Sequence, residues 1–445
     1  MSGLLIAAPS SGAGKTTVTL GILRALRRAG VHVASAKAGP DYIDPAFHAA
    51  ASGDACVNLD PWAMRPALLA ALAEEMLMSA GDGTASSARA DAEGLVVEAM
   101  MGLFDGAADG TGSSADLAAL LGLNVVLVVD CAKQSQSVAA LVRGFRDHRP
   151  DVRLAGLILN RVGSERHAGM LRGALLPLGV PVLGVLPAEP LLRLPERHLG
   201  LVQAGEHGDL GGFLERAADW IEAGLDMPAL RRLAATVSVA GAPSSPSAAV
   251  SRISPLGQRI TVARDMAFAF TYPHLLDGWR RQGAELSFFS PLADEAPDPA
   301  ADAVYLPGGY PELHAGRLAG ARHFKAGMTA AAARGVTVYG ECGGYMVLGD
   351  TLVDAEGTAH AMLGLLPVST SFAARRRHLG YRRVEMSFPW EGAMTAHEFH
   401  YASILAEGAA EPLLQASDAA GTELGAMGLR VGRVGGSFLH VIDRA

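Results

Sequence analysis

The N-terminal segment joins an apolar strand, residues 4–8, to an amphipathic helix, residues 18–29, through the loop Pro-Ser-Ser-Gly-Ala-Gly-Lys-Thr-Thr. A glycine-rich loop between a strand and a helix turns backbone N–H groups and the positive helix end toward one point, where phosphate groups bind. Lys15 would offset the phosphate charge there, and the Thr16 hydroxyl would hold Mg²⁺. The pattern predicts a parallel α/β sheet with a nucleotide phosphate site at its edge.

This loop departs from the strict phosphate-loop pattern, which has glycine where this chain has Pro9. Position 10 is serine, where partitioning-type ATPases carry an additional lysine. The loop is therefore similar to that of the dethiobiotin synthetase-like branch, whose members activate carboxylates. The strand before the loop and the helix after it disfavour the alternative, a glycine-rich turn without a ligand. The loop residues predicted to bind nucleotide are Ser11, Gly12, Gly14, Lys15, Thr16 and Thr17.

Two further segments place carboxylates at the ends of predicted strands. An alternating strand over residues 31–37 leads to Asp41 and Asp44, and a second strand ends at Glu98, with Asp105 after a glycine turn. Because ligands bind outside the carboxyl ends of parallel strands, we expect these side chains near the phosphate loop. Carboxylate oxygens suit Mg²⁺, although each aspartate alone also fits a turn or helix cap. The Thr16 hydroxyl and one or more of these carboxylates would therefore hold Mg²⁺.

Two apolar runs predict additional strands of the same sheet. Residues 124–130 (Asn-Val-Val-Leu-Val-Val-Asp) lack the polar alternation of a strand with one wet face, as expected for a parallel strand covered on both faces. Residues 154–162 form a similar run, with Asn160 close to its end. The sequence therefore predicts an N-terminal doubly wound parallel sheet.

The C-terminal half contains a candidate nucleophile, Cys342, between an apolar strand and the start of a helix. Such a turn exposes the side chain beside a helix N-terminus, so we expect a lowered thiol pKa. A cysteine nucleophile needs a base, which His440 would supply. Gly308 and Gly309 follow another strand and would present backbone donors to an oxyanion. The alternative is that Cys342 is a small, inert core residue.

Seven motifs between residues 259 and 445 resemble, in order and spacing, a class I-type glutamine amidotransferase domain, and more narrowly that of the cobyrinic or hydrogenobyrinic acid a,c-diamide synthases. Many such triads have an acid two residues after the histidine, where this chain has Ile442. The third member is therefore open, either Asp443 or another group that orients the ring of His440. The motifs are residues 262–270, 289–294, 306–313, 341–346, 379–382, 397–401 and 436–440.

The N-terminal segments 37–48 and 98–106 also resemble the diamide synthases. This resemblance implies that Asp41 and Glu98 lie near the metal, which makes Thr16, Asp41 and Glu98 the predicted magnesium ligands. It also implies that Asp105 assists the attack of ammonia and that Asn160 reads the adenine edge of ATP. An asparagine that makes only backbone contacts is the alternative for Asn160. The resemblance further implies a set of substrate contacts, which are Asp41, Tyr42, Ile43 and Asp44.

At 445 residues the chain exceeds the usual size of one hydrophobic core, so two α/β domains are expected. We predict an ATP-dependent, dethiobiotin synthetase-like P-loop domain over residues 1–234 and a linker over 235–258. A flavodoxin-like class I glutamine amidotransferase domain would follow over 259–445. Residues 79–94, rich in Ala, Ser, Gly and Asp, read as a surface insertion.

The resemblance implies ATP- and glutamine-dependent amidation of the c and a acetate carboxylates of cobyrinic or hydrogenobyrinic acid in cobalamin biosynthesis. The reaction would pass through an acyl phosphate, with ammonia shielded from water on its way between the domains. Alternatives are another tetrapyrrole amidase, such as cobyric acid synthase or a nickel-sirohydrochlorin a,c-diamide synthase. A partitioning-type ATPase with an inactive amidotransferase domain is a third.

The resemblance implies small-molecule partners: a corrinoid polycarboxylate, L-glutamine and ATP. The net charge of −8 argues against nucleic acid. The first strand begins at once, without a signal peptide, and no apolar run could span a bilayer, so we expect a cytoplasmic protein that does not bind membranes. A homodimer is the assembly left open. The arginine run 375–377 would bind corrin carboxylates, or form a solvated basic loop.

Overall fold

The structure, a computed structural model, describes residues 3–78, 92–194, 196–197, 200–235 and 250–445. They form two compact units. One comprises Met1–Trp62 with Pro66–Val250, and the other Ala63–Arg65 with Ser251–Ala445. Most of the predicted linker and most of the predicted insertion over 79–94 lie outside the described residues, so both stay predictions, as do the predicted domain limits.

The first unit alternates strands with helices. Its strands are β1 (Gly3–Ala7), β2 (Ala34–Ala38), β3 (Cys56–Leu59), β4 (Leu95–Glu98), β5 (Asn124–Asp130), β6 (Leu154–Val162), β7 (Val182–Pro187), β8 (Glu196–Arg197) and β9 (Gly200–Leu201). Its helices are α1 (Lys15–Arg28), α2 (Asp44–Ser52), α3 (Pro66–Met78), α4 (Ser114–Leu121), α5 (Val138–Asp147), α6 (Glu165–Leu175), α7 (Leu210–Gly224) and α8 (Met227–Ala235).

Strands β1 to β7 form one parallel sheet in the order β3-β2-β4-β1-β5-β6-β7. The predicted strands 124–130 and 154–162 coincide with β5 and β6. The predicted parallel α/β architecture is confirmed. Because β1 and β4 are neighbours, the phosphate loop after β1 and Glu98 at the end of β4 emerge side by side.

Two details of this unit differ from the sequence prediction. Strand β2 does not alternate: all five of its residues are buried, since it lies between β3 and β4 in the sheet. Strand β7 was not predicted, because Val-Leu-Gly-Val-Leu-Pro is short and contains the two residues that usually interrupt strands. It can hold them because it is the edge strand next to β6.

The second unit adds fourteen strands and four helices. The strands are β10 (Arg259–Ala263), β11 (Glu285–Phe289), β12 (Ala303–Leu306), β13 (Thr337–Glu341), β14 (Thr351–Val353), β15 (Ala359–Ala361), β16 (Val368–Ser371), β17 (His378–Met386), β18 (Gly392–His400), β19 (Ser403–Glu407), β20 (Glu411–Asp418), β21 (Glu423–Val431), β22 (Val434–Ser437) and β23 (Leu439–Arg444). The helices are α9 (Pro273–Arg281), α10 (Ala315–Gly320), α11 (Arg322–Ala333) and α12 (Gly343–Leu348).

Ten of these strands form a mixed sheet in the order β11-β10-β12-β13-β22-β21-β20-β17-β18-β23. The first five are parallel, and their order is the 2-1-3-4-5 order of flavodoxin-like folds, as predicted. The remaining strands extend the sheet in antiparallel fashion, which the sequence did not predict. Strands β14, β15, β16 and β19 form a separate four-stranded sheet.

Helix α12 packs directly on the sheet. A Cβ on Gly344 would lie 1.9 Å from the carbonyl oxygen of Leu306 in β12, so only glycine permits this approach. Around this contact lie buried apolar residues such as Phe324, Met328 and Val338. The packing fixes the turn between β13 and α12, which carries Cys342.

Candidate active sites

The loop between β1 and α1 has the backbone of a phosphate cradle. Gly12 and Gly14 have φ values of 81° and 89°, a region that residues with a Cβ enter only under strain. Both glycines line a cavity of about 640 Å³ together with Lys15, Thr16 and Thr17. Ser11, also predicted, is exposed in the loop and is not among the residues that line the cavity.

The predicted adenine contact, Asn160, lines the same cavity. Its side-chain amide donates to the carbonyl oxygen of Ala13 at 2.9 Å, and its amide oxygen accepts from the backbone N–H of Arg161 at 2.9 Å. These backbone contacts match the alternative interpretation of Asn160. They also show why Gly14 must be glycine, since a Cβ there would lie 2.4 Å from the Asn160 amide nitrogen.

Glu98 is the centre of a buried polar network at the end of β4. Its Oε1 accepts from the Thr16 hydroxyl at 2.7 Å and from Nζ of Lys37 at 2.9 Å. Its Oε2 lies 2.6 Å from Nε2 of His48. Burial alone would raise the pKa of Glu98, but the charge of Lys37 and the bond from His48 outweigh it and hold that pKa well below its usual range. Glu98 is therefore a carboxylate.

The charges of the two lysines in this network also depend on the balance between burial and neighbouring carboxylates. Burial opposes the charge of Lys37, yet Asp44, with Oδ2 at 2.6 Å from Nζ, and Glu98 raise its pKa. Lys15 is different: burial, only partly offset by Glu98, lowers its pKa. Of the two lysines, Lys15 thus has the less compensated charge, which suits it to an incoming phosphate.

The predicted substrate loop is also ordered by these contacts. Oδ1 of Asp41 accepts from the backbone N–H groups of Ile43 and Asp44 at 2.8 and 3.0 Å, the turn-forming role weighed as its alternative. Burial, with the charge of Asp41, raises the pKa of Asp44 to about 6. Tyr42 is half-buried and Ile43 is buried. Their contacts with a substrate remain predictions.

Asp105 is exposed, and its Oδ2 accepts from the backbone N–H of Gly102 at 2.8 Å. The loop that carries Asp105 lies beside the start of the phosphate loop, because the N–H of Leu103 donates to the carbonyl oxygen of Ala8 at 2.9 Å. The structure thus brings Asp105 to the same sheet edge as Glu98. Its role with ammonia is still a prediction.

In the second unit, Cys342 occupies a strained turn. Its φ is 47° and its ψ is −105°, a positive φ that a residue with a Cβ holds only when the surroundings impose it. The N–H of Cys342 donates to the carbonyl oxygen of Ser437 at 2.8 Å, which ties the turn to β22. This is the nucleophile-bearing elbow that the sequence indicates.

The thiol is not activated as we predicted. Burial, together with the charge of Glu312, raises the pKa of Cys342 well above its usual value, against a smaller lowering by the N–H of Gly343. The predicted lowering of the pKa is wrong, because the side chain is only 3% exposed and carboxylates lie nearby. Cys342 is a thiol at rest and needs a base.

His440 is placed to be that base. A Cβ on Gly308 would lie 2.4 Å from Cε1 and 3.2 Å from Nε2 of His440, and 3.3 Å from Cβ of Cys342. The imidazole and the cysteine therefore meet over Gly308. The N–H of Gly309 is part of the same turn, 3.0 Å from where a Cβ on Gly343 would lie. Burial and the nearby His397 lower the pKa of His440 to about 3, so its ring is neutral.

The structure also bears on the open third member of the triad. Asp443 accepts from Nε and Nη2 of Arg65 at 2.9 Å each and from its backbone N–H at 3.0 Å. Its carboxylate is thus committed to Arg65. Oε2 of Glu341, the residue before Cys342, lies 3.7 Å from Nδ1 of His440.

Comparison with known proteins decides the family. A CobB/CobQ-like glutamine amidotransferase domain matches residues 259–444, and a CobQ/CobB/MinD/ParA nucleotide binding domain matches residues 4–202. Hydrogenobyrinate a,c-diamide synthase from Sinorhizobium sp is 64% identical, covering 100% of this chain and 99% of that protein. The Brucella suis biovar 1 protein of that name is 64% identical with the same coverage, and the Mesorhizobium japonicum one is 52% identical, covering 99% and 98%. The chain belongs to the hydrogenobyrinate a,c-diamide synthase family.

For a member of this family, sequence reasoning left three buried groups without a role. Lys37 carries a faint signal, since the chain has only four lysines and two of them, Lys15 and Lys37, lie in the first two motifs. His48 and Glu341 lie inside the motifs of the diamide synthases, but nothing in their spacing reveals that one touches Glu98 and the other faces His440. Only the fold brings these pairs together.

In this diamide synthase family member, the arginines of the basic segment 375–383 lie in two different environments. Arg375, Arg376 and Arg377 are exposed. Arg382 instead donates from Nε to Oε2 of Glu398 at 2.9 Å, so its charge is already matched.

None of the described helices is both long and apolar enough to cross a membrane.

Proposed function

We propose that this chain is an ATP-dependent, glutamine-hydrolysing amidoligase that converts the c and a acetate carboxylates of hydrogenobyrinate to amides. The observation that carries the proposal is the presence, in one chain, of a phosphate loop backed by buried carboxylates and of a cysteine that meets a neutral histidine. The full-length relatives named for this activity supply the substrate. We keep residues 1–234 and 259–445 as the limits of the two catalytic domains.

In the synthetase half, the loop N–H groups and Lys15 bind the phosphates of ATP. A carboxylate oxygen of the substrate attacks the γ-phosphorus, ADP leaves, and an acyl phosphate results. Ammonia then attacks the acyl carbon and loses a proton, and phosphate leaves. Asp105, at the sheet edge, is proposed to assist this attack, and the loop 41–44 to hold the corrin, with Asn160 toward the adenine. Repeating the cycle gives the diamide.

Magnesium fits the first-unit site. The Thr16 hydroxyl and Glu98 Oε1, which lie 2.7 Å apart, are oxygen donors of the kind that Mg²⁺ prefers. Asp41 acts electrostatically on both Lys15 and Lys37 and so belongs to the same cluster. Thr16 and Glu98, with Asp41, would hold the ion, which when bound offsets the charge of the phosphate oxygens.

In the amidotransferase half, Sγ of Cys342 attacks the side-chain amide carbon of glutamine while its proton passes to Nε2 of His440. Backbone N–H groups at Gly308 and Gly309 stabilise the oxyanion. The C–N bond breaks as His440 protonates the leaving nitrogen, releasing ammonia. Water then hydrolyses the thioester, returning the proton to sulfur and releasing glutamate.

The test is mass spectrometry of the products after hydrogenobyrinate and cobyrinate are incubated separately with MgATP and glutamine. We expect two carboxyl-to-amide conversions of hydrogenobyrinate, which contains no metal. Amidation of a preformed a,c-diamide but not of hydrogenobyrinate would instead favour a cobyric acid synthase. ATP hydrolysis without glutaminase activity would favour the partitioning-type ATPase. Light scattering on the same preparation tests the homodimer.

A further inference from the structure

The Cys342–His440 pair lacks the usual acid two residues after the histidine, where Ile442 is apolar and fully buried. A catalytic imidazole must present its unprotonated nitrogen to the nucleophile, and in triads an acid at the other nitrogen enforces that tautomer. This chain must therefore orient His440 by other means.

Glu341 reaches the histidine from the opposite direction along the chain. It ends β13, is 1% exposed, and precedes the nucleophile directly. Its Oε1 accepts from the backbone N–H of Val441 at 3.1 Å, the residue after His440, and its Oε2 lies 3.7 Å from Nδ1 of the ring. One carboxylate thus holds the strand that carries the base and faces the base itself.

The two ring nitrogens face different partners. Nδ1 is the nitrogen beside Glu341, whereas Cε1 and Nε2 lie close to the point over Gly308 that Cβ of Cys342 also borders. Carboxylate, imidazole and thiol therefore follow one another in the order that proton transfer requires. The acid occupies the position of a triad acid in space while lying next to the nucleophile in sequence.

We propose that Glu341 is the positioning residue of the amidotransferase site: its carboxylate keeps the proton of His440 on Nδ1 and stabilises the imidazolium formed when Cys342 attacks. This inference rests on the proposed glutamine hydrolysis and replaces Asp443 in the role left open. At 3.7 Å the contact lies beyond hydrogen-bond length, so the carboxylate acts mainly through its charge until the ring becomes protonated.

A purely structural role is the competing explanation. Tyr305 donates to Oε2 of Glu341 at 2.7 Å, so the carboxylate also connects β12, β13 and β23. Two substitutions separate the roles. Glu341→Gln keeps an oxygen for the Val441 N–H and a partner for the Tyr305 hydroxyl but removes the charge. Tyr305→Phe removes one hydrogen bond of the network and keeps the carboxyl group, whose charge is retained when the assay is run well above pH 7, because the Tyr305 bond lowers the pKa of Glu341.

The experiment measures glutaminase kcat and KM, amidation supported by ammonium chloride, and thermal unfolding for wild type and for three variants, Glu341→Gln, Tyr305→Phe and Glu341→Asp. We expect Glu341→Gln to lower glutaminase kcat by at least about tenfold, yet by less than the ~10⁴-fold loss seen when the directly bonded acid of a triad becomes an amide. Its KM for glutamine and its ammonia-supported amidation should stay near wild type. Tyr305→Phe should retain most of the glutaminase kcat. Glu341→Asp should restore part of what Glu341→Gln loses.

Wild-type glutaminase kcat in a folded Glu341→Gln variant would overturn the inference. So would equal losses in Glu341→Gln and Tyr305→Phe, accompanied by equal shifts in melting temperature, because these indicate a structural network. Failure of the proposed function looks different: wild type itself would hydrolyse no glutamine. The rate of Cys342 alkylation by iodoacetamide adds a measurement that needs neither ATP nor corrinoid, and it should fall in Glu341→Gln only if the carboxylate acts through His440.

Discussion

The phosphate-loop site of the first unit is built from buried charges, whereas the two reacting side chains of the thiol site in the second unit are neutral at rest. Around Glu98, two carboxylates and their cations compensate one another. Around Cys342, burial raises the thiol pKa and lowers that of His440 to about 3, which leaves both groups uncharged. The first arrangement suits an anionic phosphate, because the charge of Lys15 is less compensated than that of Lys37. The second suits a neutral amide, because charge on the two reacting side chains appears only as the reaction proceeds.

The sharpest way to test this division is to remove the nucleophile. Cys342→Ala should reduce glutamine-dependent amidation to background, because no other described group is placed to attack the amide. With high ammonium chloride the variant should retain near wild-type amidation, since the charged site is untouched. Product formation with each nitrogen source is the measurement. A folded variant that ammonia fails to rescue would contradict the assignment of separate sites.

The second test removes the positive charge of Lys15 at the phosphate-loop site. Lys15→Ala should lower amidation with glutamine and with ammonia alike by roughly 10²–10³-fold, the range for a contact that offsets charge on a transferring phosphoryl group. Glutaminase activity measured alone should persist. Lys325→Ala, at a lysine of the second unit bonded to the backbone oxygen of Ala361, is the matched control. Near wild-type turnover of Lys15→Ala at saturating ATP would remove the phosphate-loop assignment.

The third test uses pH to titrate Glu341 at the thiol site. Burial raises the pKa of Glu341 to about 7, against an opposing bond from Tyr305. If the carboxylate form supports the base, glutaminase kcat should fall as pH drops through about 7, a loss that His440, with a pKa near 3, cannot cause. Glu341→Gln should lack this limb. For stability the sign is opposite: a raised pKa favours the protonated folded state, so this contribution is present at low pH and declines as pH rises through about 7.

A pH profile of Glu341→Gln that keeps the wild-type limb would assign the titration to another group. The titratable groups that face Glu341 are the Tyr305 hydroxyl from β12, the Tyr339 hydroxyl from β13, the His440 ring from β23 and the adjoining Cys342 thiol. Burial and the charge of Glu341 raise the pKa of both tyrosines, so neither can produce a limb near 7. A thiol with a raised pKa would produce its limb at higher pH, and so the two cases separate on one profile.

The comparison also explains what the sequence could and could not predict. Strands β5 and β6 were predictable because an uninterrupted apolar run has few other readings, and the turn at Cys342 because two glycines follow it. The pKa of Cys342 was not, because it depends on burial by distant segments and on the charge of Glu312. The role of Glu341 was not predicted for a related reason. Its partner His440 is ninety-nine positions away, and the parallel pairing of β13 with β22 brings the two residues together.

The smallest expected effect concerns how an acidic protein holds a polycarboxylate. With a net charge of −8, attraction must be local, and Arg375, Arg376 and Arg377 form an exposed basic run. Within the described part of the chain no carboxylate is bonded to these three side chains, in contrast to Arg382, which is bonded to Glu398. Guanidinium groups pair carboxylates in a bidentate fashion. Replacing all three by glutamine should raise the KM for hydrogenobyrinate several-fold, in keeping with the modest worth of solvent-exposed ion pairs, and leave the KM values for ATP and glutamine unchanged. The matched control replaces the exposed Arg317, Arg322 and Arg334 of the same unit, which changes net charge equally. An equal rise in both triple variants would mean that net charge attracts the substrate, and no rise in either would return residues 375–377 to the solvated surface.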